Sequence, residues 1–481
     1  MAGVHGAVGR SGLFEMTVQF LKYSIHCPIV LANVHNVRYT NIMNVRTLNS
    51  LLFQGIVNQD DMWPRINEFD SKAVCFEFEF GLDHLPEEPG LIIVRGPRQY
   101  GKSTWLDLKL RDSIIKFGKA TSYYLNGDDL ASLEDLDREI SDLVPIFQKN
   151  SKIKRLFIDE ITSIPQWEKC IKRLWDRGDL RDVLVITTGS KAYDLRRGAE
   201  KLPGRKGKLE KSEYVFLPIS YRQFYEKCSG TFKEKTWLAY LLTGGSPILC
   251  NNLYQFNRLP ESSIQIIRDW VQGEVVTSGR SRVFLRNVIE SIIKYGGSPV
   301  GFAKLARESG LANNTVASGY IDQLSDLLTV MPSWQWDSSR KTLMAGKPCK
   351  FHFINLAMAL AFHRGSIRQL HEFEALPTDT KGIWLEWLIA QEVWRRTVLN
   401  KSEEDAERLG FWKSEHHEID FVTSDEKLIE VKWGKAGPLD FTWFPKSFPK
   451  SQLLVICQNP FESHQIRGIT PHDFLMNGFS N

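Results

Sequence analysis

The eight residues Gly96-Pro97-Arg98-Gln99-Tyr100-Gly101-Lys102-Ser103 constrain this chain more than any other segment. They fit the spacing G-x-x-x-x-G-K-[ST] and stand between the apolar run Leu91-Ile92-Ile93-Val94 and a helical pattern over 103–117. A strand feeding a glycine loop that opens a helix is the context in which this spacing carries chemistry. The glycines let the backbone curl until its N–H groups converge on phosphate oxygens, and the positive end of the helix adds to the attraction. Gly96, Pro97, Arg98, Gln99, Tyr100, Gly101 and Thr104 are therefore expected to surround a nucleotide phosphate chain. Lys102 would neutralise the β- and γ-phosphates, and the Ser103 hydroxyl would ligate Mg²⁺. The expected cofactors are ATP and Mg²⁺.

Four further apolar runs follow: Ser122-Tyr123-Tyr124-Leu125, Arg155-Leu156-Phe157-Ile158, Val183-Leu184-Val185-Ile186 and Tyr214-Val215-Phe216-Leu217, with helical patterns at 103–117 and 166–175. Continuous apolar strands alternating with helices predict an α/β fold with a parallel sheet covered on both faces. The third run ends in Asp159-Glu160. Behind a phosphate loop, Asp159 is expected to hold Mg²⁺ and Glu160 to polarise the attacking water. The fourth continues into Thr187-Thr188-Gly189-Ser190, where Thr188 or Ser190 could sense the γ-phosphate.

Composition narrows the class of protein. At 481 residues, 42% hydrophobic and 25% charged, the chain is long enough for about three cores and too apolar for extended disorder. The net charge of +4 announces neither nucleic acid nor membrane, so any such partner must be met by local patches. The 7 cysteines are widely separated with no C-x-x-C pair, which disfavours a disulfide framework or structural zinc and suits a reducing compartment. No run approaches the length of a membrane span, and a cytoplasmic protein without membrane partners is expected. The expected division is an extension over 1–62, an ATPase core over 63–225, a helical lid with a winged helix over 226–340, and a C-terminal domain over 341–481.

Two regions bear on nucleic acid. Residues 191–211 hold eight Lys/Arg (191, 196, 197, 201, 205, 206, 208, 211) against three acids (194, 200, 210), a local +5. They could hold a phosphate backbone or offer an arginine to a neighbouring subunit's ATP. Residues 302–328 read as a helix-turn-helix: Phe302, Leu305 and Ala306 on one helix, the turn at Ser309-Gly310-Leu311, then Asn313 capping a helix with Val316, Tyr320, Leu324 and Leu328. Residues 312–328 contain no Lys or Arg and include Asp322 and Asp326, so the second helix is a poor reader of DNA. Arg280, Arg282 and Arg286 lie just upstream.

The C-terminal region carries a second chemical pattern. Glu386 sits in the aromatic-rich helical stretch Gly382–Leu388, Asp420 in the strand-like His417–Val422, and Glu430 and Lys432 two apart on the next strand. A short turn at 423–427 makes the last two runs a hairpin, bringing Asp420 towards Glu430. Paired carboxylates of this kind suit Mg²⁺ or Mn²⁺ at Asp420 and Glu430, with Glu386 completing the cluster and Lys432 orienting a nucleophile for phosphodiester cleavage. Trp443, Phe444 and Phe448, interleaved with Lys446 and Lys450, could stack on a single strand.

The phosphate loop, Asp159-Glu160, Gly204-Arg205, Phe216-Leu217-Pro218-Ile219-Ser220-Tyr221-Arg222-Gln223-Phe224 and Gly244-Gly245-Ser246-Pro247 together resemble the archaeal and bacterial AAA-type (AAA+, P-loop) ATPases with a C-terminal nuclease-like domain. Gln223 replaces that family's Glu. The set Glu386, Asp420, Glu430-x-Lys432 is similar to the PD-(D/E)XK nuclease signature, with Ile419-Asp420 in place of Pro-Asp. The resemblance implies an AAA+ parallel-sheet core, a helical and winged-helix lid, and an α/β restriction-endonuclease-like C-terminus. It implies Arg205 as an arginine acting across a subunit boundary, and so a homo-oligomer in the presence of ATP. It also implies ATP-driven processing of branched or single-stranded DNA. The alternative is an ATP-controlled switch whose nuclease-like domain binds DNA or protein without cutting.

Overall fold

The computed structural model describes residues 43–189 and 207–479, together with 195, 198, 201, 202 and 204 between them. Ser190 and Arg205, and most of the basic segment around Arg205, lie outside the described residues, as do residues 1–42.

Five runs form one sheet: β1 (Gly90–Arg95), β2 (Ser122–Asn126), β3 (Arg155–Asp159), β4 (Leu184–Gly189) and β5 (Glu213–Val215), in the order β2-β3-β4-β1-β5. Every pairing is parallel. Alternation along the strands divides the side chains between two cores: Ile92, Val94, Tyr124 and Phe157 on one face, Leu91, Ile93, Tyr123, Leu156 and Ile158 on the other. The helices α1 (Val45–Gln54), α2 (Pro64–Asp70) and α3 (Lys102–Phe117) pack on the first face. α4 (Leu133–Leu143) and α5 (Trp167–Arg177) cover the second through Leu136, Ile140, Ile171 and Leu174.

Residues before the phosphate loop are joined to this sheet by side-chain amides. Asn49 of α1 accepts from the Tyr124 N–H at 2.9 Å and donates to the Tyr124 carbonyl at 2.8 Å, extending the edge strand by one residue. Gln223, on the helix that follows the sheet, makes the same two bonds to Glu77, accepting from its N–H at 2.7 Å and donating to its carbonyl at 3.2 Å. A glutamate can accept here but not donate, so the amide is the residue this pairing needs.

After the sheet come α6 (Tyr221–Phe232), α7 (Thr236–Thr243), α8 (Pro247–Phe256), α9 (Glu261–Thr277), α10 (Arg282–Lys294), α11 (Phe302–Ser309) and α12 (Asn314–Asp326). Asn313 caps α12, accepting from the Val316 N–H at 3.0 Å. α12 is not a free face: the Arg280 guanidinium lies over the Tyr320 ring at 4.9 Å, and Gln323 donates to Ser278 at 2.6 Å. Its acidic composition and this cover both count against insertion into a DNA groove.

The chain then enters a second sheet at β6 (Val330–Asp337), ahead of residue 341. With β7 (Thr342–Leu343), β8 (Lys350–Phe353), β9 (Gly410–Lys413), β10 (Glu418–Val422), β11 (Leu428–Val431), β12 (Leu453–Ile456), β13 (Phe461–Ser463) and β14 (Ile466–Ile469), it forms a nine-stranded mixed sheet. The order is β13-β14-β12-β11-β10-β9-β6-β7, with β8 also on β6. α13 (Leu356–Phe362), α14 (Thr378–Asn400) and α15 (Pro471–Asn477) accompany it. Asn459 repeats the amide device, pairing with both backbone groups of Ala436 at 2.9 and 3.0 Å. Phe444 and Phe448 are buried in the small core of this sheet, so neither is a stacking platform; Trp443 stacks on His417, ring centroids 4.3 Å apart. No helix among the described residues is long and apolar enough to cross a membrane.

Replacing Asn49 by Ala leaves two buried backbone groups of Tyr124 without partners. The expected cost is about 1–3 kcal/mol, read by chemical denaturation of the full chain.

Candidate functional site

The loop between β1 and α3 is shaped by backbone that only certain residues adopt. Gly101 has φ +97°, and a Cβ there would lie 2.9 Å from the Phe78 ring. Gln99 is also left-handed at φ 64°. Tyr100 is buried, so its contribution to the loop is backbone. Lys102 is buried and donates to the carbonyls of Gly96 and Pro97, both at 2.9 Å. Burial pulls its pKa down, against the pull of Glu160 and Asp159. A buried ammonium beside a ring of loop amides is a fit for phosphate oxygens.

Around the loop is a cavity of about 340 Å³ lined by Arg98 to Thr104, Glu160 and Arg65. Its other wall is apolar: Phe69, Val74, Phe76, Phe78, Ile219 and Pro247, with Phe69 and Phe78 stacked at 5.4 Å. Arg98 reaches across to Glu274 of α9 at 3.3 Å. The phosphate loop and the helical region therefore share one cleft.

Asp159 and Glu160 end β3 beside this cavity. Asp159 is buried, and one of its oxygens accepts from the Thr188 hydroxyl. Thr188 in turn accepts from the Glu160 N–H at 3.3 Å, so its hydroxyl orients the Asp159 carboxylate and holds the backbone at Glu160. Glu160 is held at φ 46°, a left-handed conformation uncommon for this residue type and typical of constrained sites.

The second oxygen of Asp159 meets a residue that the sequence pattern did not single out. Arg65 of α2 donates to it at 3.0 Å, lies 3.4 Å from Asp107, and donates to Tyr124 Oη at 3.3 Å. Burial works against the guanidinium charge, but Tyr124, Asp107 and Asp159 outweigh it and hold its pKa above the ordinary value. Burial pushes Asp107 up to about 7, against the opposing pull of Arg65. Pro64 at the start of α2 is the only local signal near it; the contact itself spans 94 residues.

Residues 88–225 match the AAA_14 family model, described as an AAA domain. This segment is similar to AAA domains and carries the P-loop spacing at its start. AAA domains are ATP-binding ATPase domains, and the geometry of the loop agrees with that ligand. The chain is 22% identical over 422 residues to an uncharacterized protein of Methanocaldococcus jannaschii, covering 82% of this chain and 85% of that one. Among solved structures, it is similar to the Walker-type ATPase of Pyrococcus abyssi, with 12% identity over 63% of this chain and 97% of that one, TM-score 0.37. It is also similar to the Orc1 protein of Aeropyrum pernix in complex with DNA, with 16% identity over 57% of this chain and 86% of that one, TM-score 0.31.

The carboxylates expected to form a C-terminal metal centre do converge. The Asp420 N–H donates to Glu430 Oε2 at 3.3 Å, and Glu386 faces them from α14. Lys432 binds Glu430 at 2.6 Å. A fifth residue, absent from the sequence reading, stands at the centre. The Lys350 ammonium, on β8, lies 3.1 Å from Glu386, 2.6 Å from Glu418 and 2.9 Å from Asp420. Burial opposes its charge, but those three acids outweigh it and raise its pKa. Burial pushes Glu386 and Glu430 up, while Lys350 holds Asp420 below its ordinary value against the same burial. His352, next on that face of β8, is neutral: burial pulls its pKa down to about 3, aided by Lys350.

These residues do not fit a divalent ion as they are arranged. A dication about 3 Å from the Lys350 ammonium would be repelled by on the order of 10 kcal/mol at an effective dielectric of ~20. Among the described residues, no group of three or more His, Cys, Asp or Glu is open to a metal.

At the AAA domain the decisive contact is testable without nucleotide. Arg65→Met is expected to lower stability by about 1–3 kcal/mol by leaving Asp159 and Asp107 without their cation, and Asp107→Asn on that background should recover part of the loss. Thermal or urea denaturation of the four proteins reads the cycle.

Proposed function

We propose that this chain is an ATP-hydrolysing switch that acts on DNA, in which an AAA domain drives a C-terminal nuclease-like domain that grips without cutting. The observation that carries the ATPase half is the chain of contacts Arg65–Asp159–Thr188–Glu160 beside the phosphate loop. The Asp159 carboxylate and the backbone that carries Glu160 are positioned by protein groups before substrate arrives, so little reorganisation is left for the reacting state.

The loop amides, Lys102 and Ser103 would hold ATP and Mg²⁺, and the apolar wall of Phe69, Phe76 and Phe78 would take the base. Bound Mg²⁺ supplies charge neutralisation on the phosphates. Asp159 orients the metal side of the site and Glu160 accepts a proton from water. Arg65, tied to Asp159 and lining the cavity, links α2 to the site that ATP and Mg²⁺ would fill. Thr188 acts by positioning Asp159 and Glu160. Arg205 is assigned to a neighbouring subunit's nucleotide, which makes turnover depend on association.

DNA as the partner is supported by the local +5 of residues 191–211 and by the exposed Arg282 and Arg286 at the start of α10. Phosphate contacts of this kind are not sequence-specific, in keeping with an α12 that carries no basic residue. Branched or single-stranded DNA is the substrate class proposed.

Lys102→Ala is expected to abolish ATP binding, and Glu160→Gln to keep binding while lowering turnover by about 10²–10⁴-fold. Phosphate-release assays with a nucleotide-binding control separate the two; unchanged turnover in both variants would sink the ATPase reading. Arg205→Ala should lower turnover by about 10³-fold, and mixing it with Lys102→Ala should restore activity, because each supplies what the other lacks. Fluorescence anisotropy should find DNA binding that depends on ATP and weakens steeply with salt.

A further inference from the structure

The geometry points to Lys350 as a built-in replacement for the divalent cation of the C-terminal cluster: we infer that this site is neutralised by protein ammonium groups and binds no catalytic metal. The inference rests on reading the C-terminal domain as nuclease-like and deepens it.

Three observations carry it. The first is donor count. An ammonium has three N–H groups, and Lys350 directs them at three different carboxylates, Glu386, Glu418 and Asp420, all within 3.1 Å. The second is that the remaining oxygens of Asp420, Glu430 and Glu418 are already engaged. The other oxygen of Asp420 accepts from the Val431 N–H at 2.9 Å, Glu430 accepts from the Asp420 N–H and from Lys432, and Glu418 also pairs with Lys413 at 2.7 Å. Four carboxylates (Glu386, Glu418, Asp420, Glu430) thus face three ammonium groups (Lys350, Lys413, Lys432), a sum of −1. Adding a dication would turn that into +1 in a site with buried walls.

The third observation is that Lys350 has no route out. Its side chain is 1% exposed and ranks among the largest fully buried ones in the protein. β8 is held on β6 by an antiparallel register from Val330–Phe353 to Ser333–Lys350, which aims the ammonium into the cluster. A metal would have to expel a charged side chain from a buried position where each of its hydrogen bonds is made. Lys432 is the lysine that the E-x-K pattern marks; Lys350 is a different one, from a strand about 80 residues earlier.

The test counts Mn²⁺ bound to the full-length, nucleotide-free protein by electron paramagnetic resonance, scoring only the ion that Asp420→Asn removes, which sets aside any bound at the phosphate loop. Wild-type protein is expected to show no such ion at millimolar Mn²⁺. Lys350→Met or Lys350→Gln, checked for folding by circular dichroism, should gain a bound Mn²⁺ that Asp420→Asn then abolishes, with affinity at least 10-fold tighter than wild type. An Asp420-dependent Mn²⁺ in the wild type, or DNA nicking that Asp420→Asn removes, would overturn the inference while leaving the ATPase reading intact. Folded Lys350 variants that gain no ion overturn it as well, by showing that the cluster is not a metal site with its metal replaced. If neither variant folds, the wild-type measurement decides alone.

Discussion

Helix α14 is buried over most of its length, yet it carries Glu386, Gln391, Glu392 and Arg395 into that burial. A buried polar group without a partner costs more than a made hydrogen bond gains, so each of these must find a counterpart, on this helix or on an element packed against it. Gln391 bonds the Gly244 carbonyl on one side and the Leu356 N–H on the other. Glu392 is held by Arg395 and Arg396, and Arg396 continues to the Leu475 carbonyl. Glu386 faces Lys350. One helix thereby sets the position of the helical region, of β8 and of the C-terminal helix α15, and the carboxylate cluster inherits its geometry from that requirement.

Much of the AAA domain was legible because its information is local. Gly96–Ser103 and Phe157–Glu160 each place strand, turn and chemistry within a few consecutive residues, and the apolar runs marked all five strands of the first sheet to within a few residues. The hairpin that joins Asp420 to Glu430 was legible for the same reason, since a short turn leaves little choice of pairing. Arg65 and Lys350 were not. Each acts on an acid 94 or 70 residues away, and spacing within a segment does not record what fills a cavity from elsewhere. Lys350 and His352 alternate on a strand in the way a solvated face does. Only the pairing of β8 with β6 turns that face inward. The aromatic and lysine run 443–450 misled in the opposite sense: the short helix Phe444–Ser447 buries Phe444 while its lysine stays in water.

The nucleotide cleft is closed by contacts of two kinds. Arg98 with Glu274 is an ion pair with a half-exposed guanidinium, of modest worth and sensitive to screening. Asn251 donating to the Val74 carbonyl at 2.7 Å, and the Ile219 N–H donating to the Gly245 carbonyl at 3.0 Å, are neutral. The salt-sensitive part of the cleft is therefore the charged side next to the phosphate loop, while neutral bonds join the apolar wall to the helices behind it.

The amide side chains that imitate a strand have a consequence beyond packing. Asn49, Gln223 and Asn459 each meet both backbone groups of one residue, and Gln391 bridges two. None of the four carries charge or titrates. The junctions they make keep the same strength across pH and ionic strength, so these four joints are uncoupled from the very variables that govern phosphate binding.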